Sequence, residues 1–144
     1  ANNGYSSKWA YGWEMINGGN KANNNNSGTS YGSSYSSSDI GMVAFDADVG
    51  AIWFGKNGTW NDSGDPTSGS TGTGSVADIS STATWSPYAE IKYGSDTVSA
   101  NFGQGYFRTA VAGTNADANG HGKFKYSVPS GYYALCTKNI KEFG

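Results

Sequence analysis

Two apolar runs separated by a short polar turn constrain this chain more than any other feature. Residues 40–47 form the first run and residues 51–54 the second, with Asp48-Val49-Gly50 between them. Such a pair is typical of a β-hairpin, and we expect residues 41–45 to form a buried strand. Asn57-Gly58 then supplies the positive φ angles of a second tight turn. One hairpin alone is marginally stable, so we expect it to pack against a second sheet.

Composition favours β structure over helices. Gly, Ser, Asn and Thr supply 67 of the 144 residues, and Leu135 is the single leucine. These four residue types resist helix formation, which excludes a helical bundle. Aromatic residues make up 15% of the chain, whereas disordered chains are poor in them. We therefore expect an all-β fold with one domain over residues 1–144, standing alone or as a piece of a longer chain.

Other segments with strand character lie on both sides of the hairpin. Trp9, Tyr11 and Trp13 recur at a period of two within residues 5–16, which is a strand pattern. Three more strands are predicted further along, at residues 88–93, 97–102 and 132–137. Short strands between turn signals predict a two-sheet antiparallel sandwich. The single cysteine, Cys136, is predicted to be a small buried hydrophobe in the last of these strands.

Small polar residues collect at residues 17–38, 61–86 and 113–122, and loops are predicted at 23–28, 60–87 and 113–122. A loop as long as the second is usually functional, disordered or ordered by its own packing. Charge excludes one class of partner, because the lone Arg108 and eight scattered lysines form no basic patch for nucleic acid. No apolar run of about 18 residues is present either, so we expect no membrane insertion.

Several motifs occur in an order that is typical of one family. They are YGSSY at 31–35, DIGMVAFD at 39–46, GAIWFGKNG at 50–58, SPY at 86–88, NFGQ at 101–104 and PSGY at 129–132. Over residues 11–137 this series resembles the SPRY (B30.2-like) domain. NGTWNDSGDP at 57–66 and GYYALCTKN at 131–139 resemble its branch in bacteriophage virion and bacterial surface proteins. SPY reverses the usual Tyr-Pro order, and residues 113–123 look like an insertion.

The resemblance implies a two-sheet antiparallel sandwich with a concanavalin-like jelly-roll topology. It also implies a non-catalytic structural or recognition module that binds ligands through loops at one end of the sandwich. We expect a virion component, such as a tail fibre, receptor-binding or capsid decoration protein, located in the virion or at a cell surface. Its partners would be other virion or surface proteins, or a host receptor or glycan. A lectin-like carbohydrate-binding module and a peptide-binding intracellular adaptor are the alternatives.

Aromatic side chains divide between core and binding roles. Those on predicted strands are expected in the core, namely Phe45, Trp53, Phe54, Phe102 and Tyr133. Loop aromatics with neighbouring polar groups either form a platform for a peptide or a sugar face or are each buried as a plug of their own loop. The candidate ligand-binding residues are therefore Trp60, Asn61, Asp65, Trp85, Tyr88 and Tyr106.

Catalytic and metal-binding patterns are weak. His121 is the only histidine, and no Gly-x-Ser-x-Gly elbow accompanies it. Glu14 and Glu90 could serve a glycosidase, but both are expected to point to solvent. Paired aspartates in the loops, such as Asp46 with Asp48, lack the spacing of a calcium loop and suit turns instead. We predict no catalytic residue, no metal site and no cofactor.

Overall fold

A computed structural model describes most of the chain. It covers residues 11–13, 20–23, 26–36, 38–76, 84–89, 97–107, 110–111 and 113–143. Contacts divide the chain into two compact units, Ala1–Trp85 and Ser86–Gly144. The single domain over residues 1–144 stays a prediction. The β-rich character is confirmed, because the named strands of the described residues pair antiparallel and one short α-helix accompanies them.

The first sheet of the first unit has the order β1-β2-β3, with β1 Tyr11–Trp13, β2 Asn20–Asn23 and β3 Asn26–Ser30. Strand β1 lies within the predicted aromatic strand at 5–16, of which residues 5–10 and 14–16 lie outside the described residues. The loop predicted at 23–28 is wrong, because β2 and β3 pair across it. Backbone groups alone make the ladder, so strands of Asn, Ser and Thr pair without an apolar pattern.

The second sheet confirms the predicted hairpin. Strand β4, Gly41–Asp46, pairs with β5, Ala51–Lys56, from Gly41 opposite Lys56 to Asp46 opposite Ala51. The Asn57-Gly58 turn, with φ angles of 51° and 91°, leads into β6, Thr59–Trp60. Positive φ at both central residues is the primed-turn geometry that Asn-Gly favours.

The two faces of this sheet differ in exposure. Ala44, Ala51 and the fully buried Trp53 lie on one face, whereas Val43 on the other face is 61% exposed. The prediction of a buried strand at 41–45 is therefore wrong for half of its side chains, because alternate residues of a strand face opposite sides. Phe45 on that open face contacts the Trp85 ring, with centroids 6.2 Å apart.

Only part of the predicted aromatic core is confirmed. Trp53 is buried, and Phe54 is partly buried against a small cluster of Tyr31 and Val76. The prediction is wrong for three aromatics that remain substantially exposed, Phe45, Phe102 and Tyr133. Their burial was predicted only because they lie in predicted strands, and the strands predicted around Phe102 and Tyr133 are absent.

The loop that follows β6 is ordered by its own packing as far as Val76. It contains two 3₁₀ segments, Asn61–Ser63 and Pro66–Thr71. The indole Nε1 of Trp53 donates to the Thr73 carbonyl at 2.8 Å. The Tyr31 hydroxyl donates to the Gly74 carbonyl at 2.9 Å. These partly buried bonds, together with the Val76 N–H that donates to the Ile52 carbonyl at 2.8 Å, fasten the loop to β5. They confirm that the loop is ordered by its own packing as far as Val76.

The second unit has a small hairpin of β7, Tyr106–Phe107, and β8, Ala110–Val111, and a helix α1 at Thr137–Phe143. The strands predicted at 97–102 and 132–137 are wrong, since both segments are irregular up to the start of α1. Cys136 is half-buried at that start rather than buried in a strand. Of the strand predicted at 88–93, residues 88–89 are irregular and 90–93 lie outside the described residues.

Candidate functional site

Side-chain hydrogen bonds shape the loop at residues 101–105. Asn101 Oδ1 accepts the backbone N–H groups of Gly103 and Gly105, while its Nδ2 donates to the Lys123 carbonyl at 2.9 Å. Gln104 Oε1 accepts the N–H of Phe102 at 2.7 Å. Gly103 and Gly105 adopt φ angles of 114° and 86°, which glycine alone takes readily. Local side-chain bonds thus replace a strand ladder here and present the Phe102 ring to solvent.

A buried carboxylate organises the neighbouring loop. Asp117 is only 7% exposed, and its Oδ1 accepts the N–H groups of Asn119 and His121 at 3.0 and 2.8 Å. Its Oδ2 accepts the Ala134 N–H at 2.8 Å and the Asn139 Nδ2 at 2.7 Å. One side chain therefore joins the loop at 117–121, the segment before α1 and α1 itself.

Burial opposes the charge on Asp117, yet its pKa is lowered. Burial raises the pKa of this carboxyl, but hydrogen bonds from Ala134, His121, Asn139 and Asn119 favour the ionised form and outweigh it. A carboxylate that accepts several N–H groups is stabilised as the anion even where solvent is scarce. Asp117 is therefore held charged and fully engaged.

Asn139 completes this network from α1. Its amide, 4% exposed, also donates to the Ala134 carbonyl at 2.8 Å, and its Oδ1 accepts from Asn119 Nδ2. Asn119 Nδ2 also donates to the Glu142 carboxylate at 3.0 Å. The Ala134 N–H thus bonds a side chain, and its carbonyl accepts from Asn139 and from the Cys136 N–H at 2.8 Å, so neither group is left for strand pairing.

An open groove lies beside this network, and we name it the Leu135 groove. Its volume is about 540 Å³, within the usual range for ligand sites. Its lining comes from three neighbouring segments of the second unit: Phe102, Gly103, Gln104, Gly120, His121, Gly122, Lys123, Leu135, Cys136, Thr137, Lys138 and Ile140. Three large apolar side chains in this lining are exposed, Phe102 at 43%, Leu135 at 57% and Ile140 at 54%.

The charges of the Leu135 groove have one sign. Lys123 and Lys138 are exposed in its lining, and no Asp or Glu lines it. Among the described residues, an ion pair joins Lys56 to Asp39, in the other unit. Neither groove lysine has an ion-pair partner within the described segments. The groove is thus cationic on a chain whose net charge is −2.

The structure places half of the sequence-predicted site residues close together, with Trp60 at the end of β6 and Asn61 and Asp65 in the loop after it. Asp65 is exposed, but its Oδ1 accepts both the N–H and the hydroxyl of Thr67, at 2.8 and 2.6 Å. It begins the 3₁₀ segment Pro66–Thr71, as the Asp-Pro turn predicts. The Asn61 amide packs against Gly32, and its buried Nδ2 has no hydrogen-bond partner among the described residues. Trp60 is half-buried beside Gly55 and Gly64.

The other predicted site residues are dispersed. Trp85, half-buried, ends the first unit and contacts Phe45. Tyr88 belongs to the second unit and is 57% exposed. Tyr106 lies in β7, and its side chain lies outside the described residues. None of the six predicted residues lines the Leu135 groove, so their ligand-binding role stays a prediction.

Sequence reasoning missed the residues that build the groove. Asp117 carried a signal, because Asp followed two residues later by Asn-Gly is typical of a turn that an Asp side chain caps. Asn139 carried none, because its partner is 22 residues away. Leu135 stood out as the single leucine but was assigned to the strand predicted at 132–137, with no role in binding.

Comparison with known proteins adds no neighbour. Protein-family models, curated proteins and solved structures give no match to this chain. Within the described segments, no group of three His, Cys, Asp or Glu side chains is placed to hold a metal ion. Helices of sufficient length and apolarity to cross a membrane are likewise not found in that part of the chain.

Proposed function

We propose that this protein is a non-catalytic recognition module that binds a partner polypeptide in the Leu135 groove. One observation carries the proposal: Phe102, Leu135 and Ile140 expose their side chains along a single groove. Contiguous exposed apolar side chains mark interaction sites in folded proteins, because their exposure is otherwise unfavourable. The network around Asp117 holds two of the three lining segments, so the groove is organised before a partner arrives.

We further propose that the fold is a two-sheet sandwich of the SPRY type. The resemblance supports this, since DIGMVAFD and GAIWFGKNG coincide with β4 and β5 and the turn after them. The exposed Val43 and Phe45 also leave an apolar sheet face of the kind that a second sheet covers. NFGQ at 101–104 forms a loop instead of the strand that the resemblance implies.

The resemblance to SPRY-like domains of virion and bacterial surface proteins suggests the setting. We propose that the module sits in a virion or on a cell surface, where its partner is another particle protein or a host receptor. Mass spectrometry of purified particles tests this, with recovery of the chain in fixed stoichiometry as the expected result. Recovery only in the soluble cytosolic fraction would contradict the setting while leaving the groove proposal standing.

Selection from a peptide library tests the recognition function. The purified chain is the bait, and a variant with Leu135→Ser and Ile140→Ser is the negative bait. Val98→Ser is the matched control, because Val98 is 52% exposed in the same unit but does not line the groove. We expect enriched peptides that bind the wild type and Val98→Ser at least tenfold more tightly than the double variant.

Two results would overturn the recognition function. One is a library that yields no binder, and the other is a set of binders that the double variant holds equally well. A glycan array run in parallel tests the lectin-like alternative. Glycan binding that is lost in Trp60→Ala but kept in the double variant would move the site to the predicted loop residues.

A further inference from the structure

We infer that the Leu135 groove selects acidic partners: a polypeptide segment in which large apolar side chains stand next to carboxylates. This inference rests on the recognition function proposed above and names the chemistry of the partner. Three features of the groove support it: its positive charge, its exposed apolar side chains, and amide groups that already form hydrogen bonds within the protein.

Charge complementarity favours a carboxylate-bearing partner. Lys123 and Lys138 come from different segments, before the isolated bridge at Phe124 and on the first turn of α1, and both line the groove. The carboxylates nearest in the network are engaged elsewhere, Asp117 by four N–H donors and Glu142 by Asn119. Lysines that have no ion-pair partner within the described segments can pair with an incoming anion, which fixes its orientation and speeds its encounter.

The apolar side chains favour a partner that inserts one or two large apolar groups. Leu135 lies just before α1 and Ile140 lies within it, while Phe102 belongs to another segment of the groove lining, the loop at 101–105. Burial of these side chains contributes free energy roughly in proportion to the area removed from water. A short acidic-apolar segment matches both the charge and the apolar lining.

The polar groups of the groove do not favour a sugar. Lectin-like sites need free amide and carboxylate groups for ring hydroxyls, and here Gln104 already bonds the Phe102 N–H and the Ala100 carbonyl. Asn101 and Asn119 behind it are likewise engaged by backbone and side-chain partners. Two lysines are also too few for a phosphate polyanion, whose binding depends on many cations.

Fluorescence anisotropy with defined peptides tests the inference. The probe is a fluorescein-labelled peptide Gly-Asp-Asp-Leu-Phe-Asp-Gly. One control peptide carries Asn for every Asp, and the other carries Ser for Leu and Phe. We expect the all-Asn peptide to bind about tenfold more weakly and the affinity of the parent to fall as salt rises, because exposed charge pairs are screened.

Lysine variants assign the charge effect to the groove. Lys123→Gln and Lys138→Gln should each weaken binding of the Asp-containing parent peptide about two- to fivefold and leave the affinity for the all-Asn peptide unchanged. Lys141→Gln is the matched control, because Lys141 is exposed on the same helix as Lys138 but does not line the groove. Equal effects of Lys138→Gln and Lys141→Gln would overturn the inference, since only bulk charge would then matter.

Cys136 reports where the peptide sits. It lines the groove, is half-buried and is the single cysteine of the chain. Saturating parent peptide should slow its reaction with a thiol reagent severalfold, and the all-Asn peptide at the same concentration should not. Tight binding without protection of Cys136 places the site elsewhere and refutes the inference.

The outcomes separate this inference from the recognition function. Library peptides that need Leu135 and Ile140 but bind equally well with Asn in place of Asp refute the acidic partner and leave the function intact. Failure of every library and defined peptide refutes both. Sedimentation that shows a dimer lost in the Leu135→Ser, Ile140→Ser variant replaces the acidic peptide with a second copy of the chain.

Discussion

The substitution Asp117→Asn tests the network that holds the Leu135 groove. It keeps the size of the side chain and removes its charge and one of its two acceptor oxygens. In the wild type each oxygen accepts two hydrogen bonds, from Asn119 and His121 at Oδ1 and from Ala134 and Asn139 at Oδ2. Whichever way the new amide turns, its NH₂ faces two donors that have lost their acceptor.

The loss amounts to about 3 kcal/mol. A hydrogen bond to a charged group contributes about 1.5–3 kcal/mol, and two such bonds are removed in a buried site. Repacking of Asn139 cannot recover its bond, because turning that amide would break its contacts with the Ala134 carbonyl and Asn119. We take the lower end of the sum to allow for relaxation of the loop at 117–121.

Urea unfolding measures this difference with one probe for each unit. All five tryptophans lie within residues 1–85, so tryptophan fluorescence reports the first unit. Exposure of Cys136 to a thiol reagent reports the second. At an m-value of about 1–2 kcal/mol/M, we expect the Cys136 transition of Asp117→Asn to fall by about 1.5–3 M urea.

Asp65→Asn is the matched control, because both donors to Asp65 use the same oxygen, Oδ1, and an amide oxygen can accept them equally. Asp65 lies in the first unit, so Asp65→Asn is followed by tryptophan fluorescence. It should lower the urea midpoint of the tryptophan transition far less than Asp117→Asn lowers that of the Cys136 transition. Similar shifts for the two variants, or a Cys136 midpoint that Asp117→Asn leaves in place, would show that two-oxygen bonding does not hold the groove.

Three further predictions concern the loop after β6 and acid. Gly74→Ala should cost about 1–3 kcal/mol more than Gly72→Ala in the tryptophan transition, since both have φ near +60° but the Cβ at 74 would meet backbone at 2.5 Å, whereas the Cβ at 72 would meet only the Ser75 side chain, at 3.1 Å. Gly32→Ala should destabilise the first unit by about 1–3 kcal/mol, because the new Cβ would lie 2.5 Å from Asn61 Cγ. Adding Asn61→Ala removes that clash, so the double variant should lose less stability than the sum of the two single variants; additive effects would contradict the contact. The lowered pKa of Asp117 adds stability that is complete above its ordinary pKa of 3.8 and is lost as the pH falls through the lower pKa of the folded state. The Cys136 midpoints of the wild type and Asp117→Asn should therefore converge as the pH falls below 3.8.

The hairpin of β4 and β5 could be predicted because its signals are local. Two apolar runs and the short polar turn between them each act within a few residues, and the alternation of side chains along the strands together with the turn sets the register. The β2–β3 pair gave no such signal, since its strands of Asn, Ser, Gly and Thr match a loop by composition. Pairing there depends on backbone groups that every sequence possesses.

The candidate site could not be predicted because its determinants are distant in sequence. The run at 132–137 has strand composition, but Ala134 gives its N–H to Asp117 and its carbonyl to Asn139. Whether an apolar run pairs as a strand depends on what occupies its backbone groups, and the side chain that does so here lies 17 residues away. The neighbouring Leu135 is 57% exposed and forms part of a surface instead of the predicted strand.

These contacts show what many of the abundant small polar residues do in the structure. Short Asx side chains bond backbone N–H groups in both units, as Asp46 does for Val49, Asn57 for Ile40 and Asn101 for Gly103. Their polar atoms are occupied in building turns, so they offer little to a ligand even where they are exposed. Recognition then depends on the few large side chains that these turns leave exposed. For this reason the partner that we propose is defined by Leu135 and the lysines beside it, and not by the loops rich in Asn and Asp.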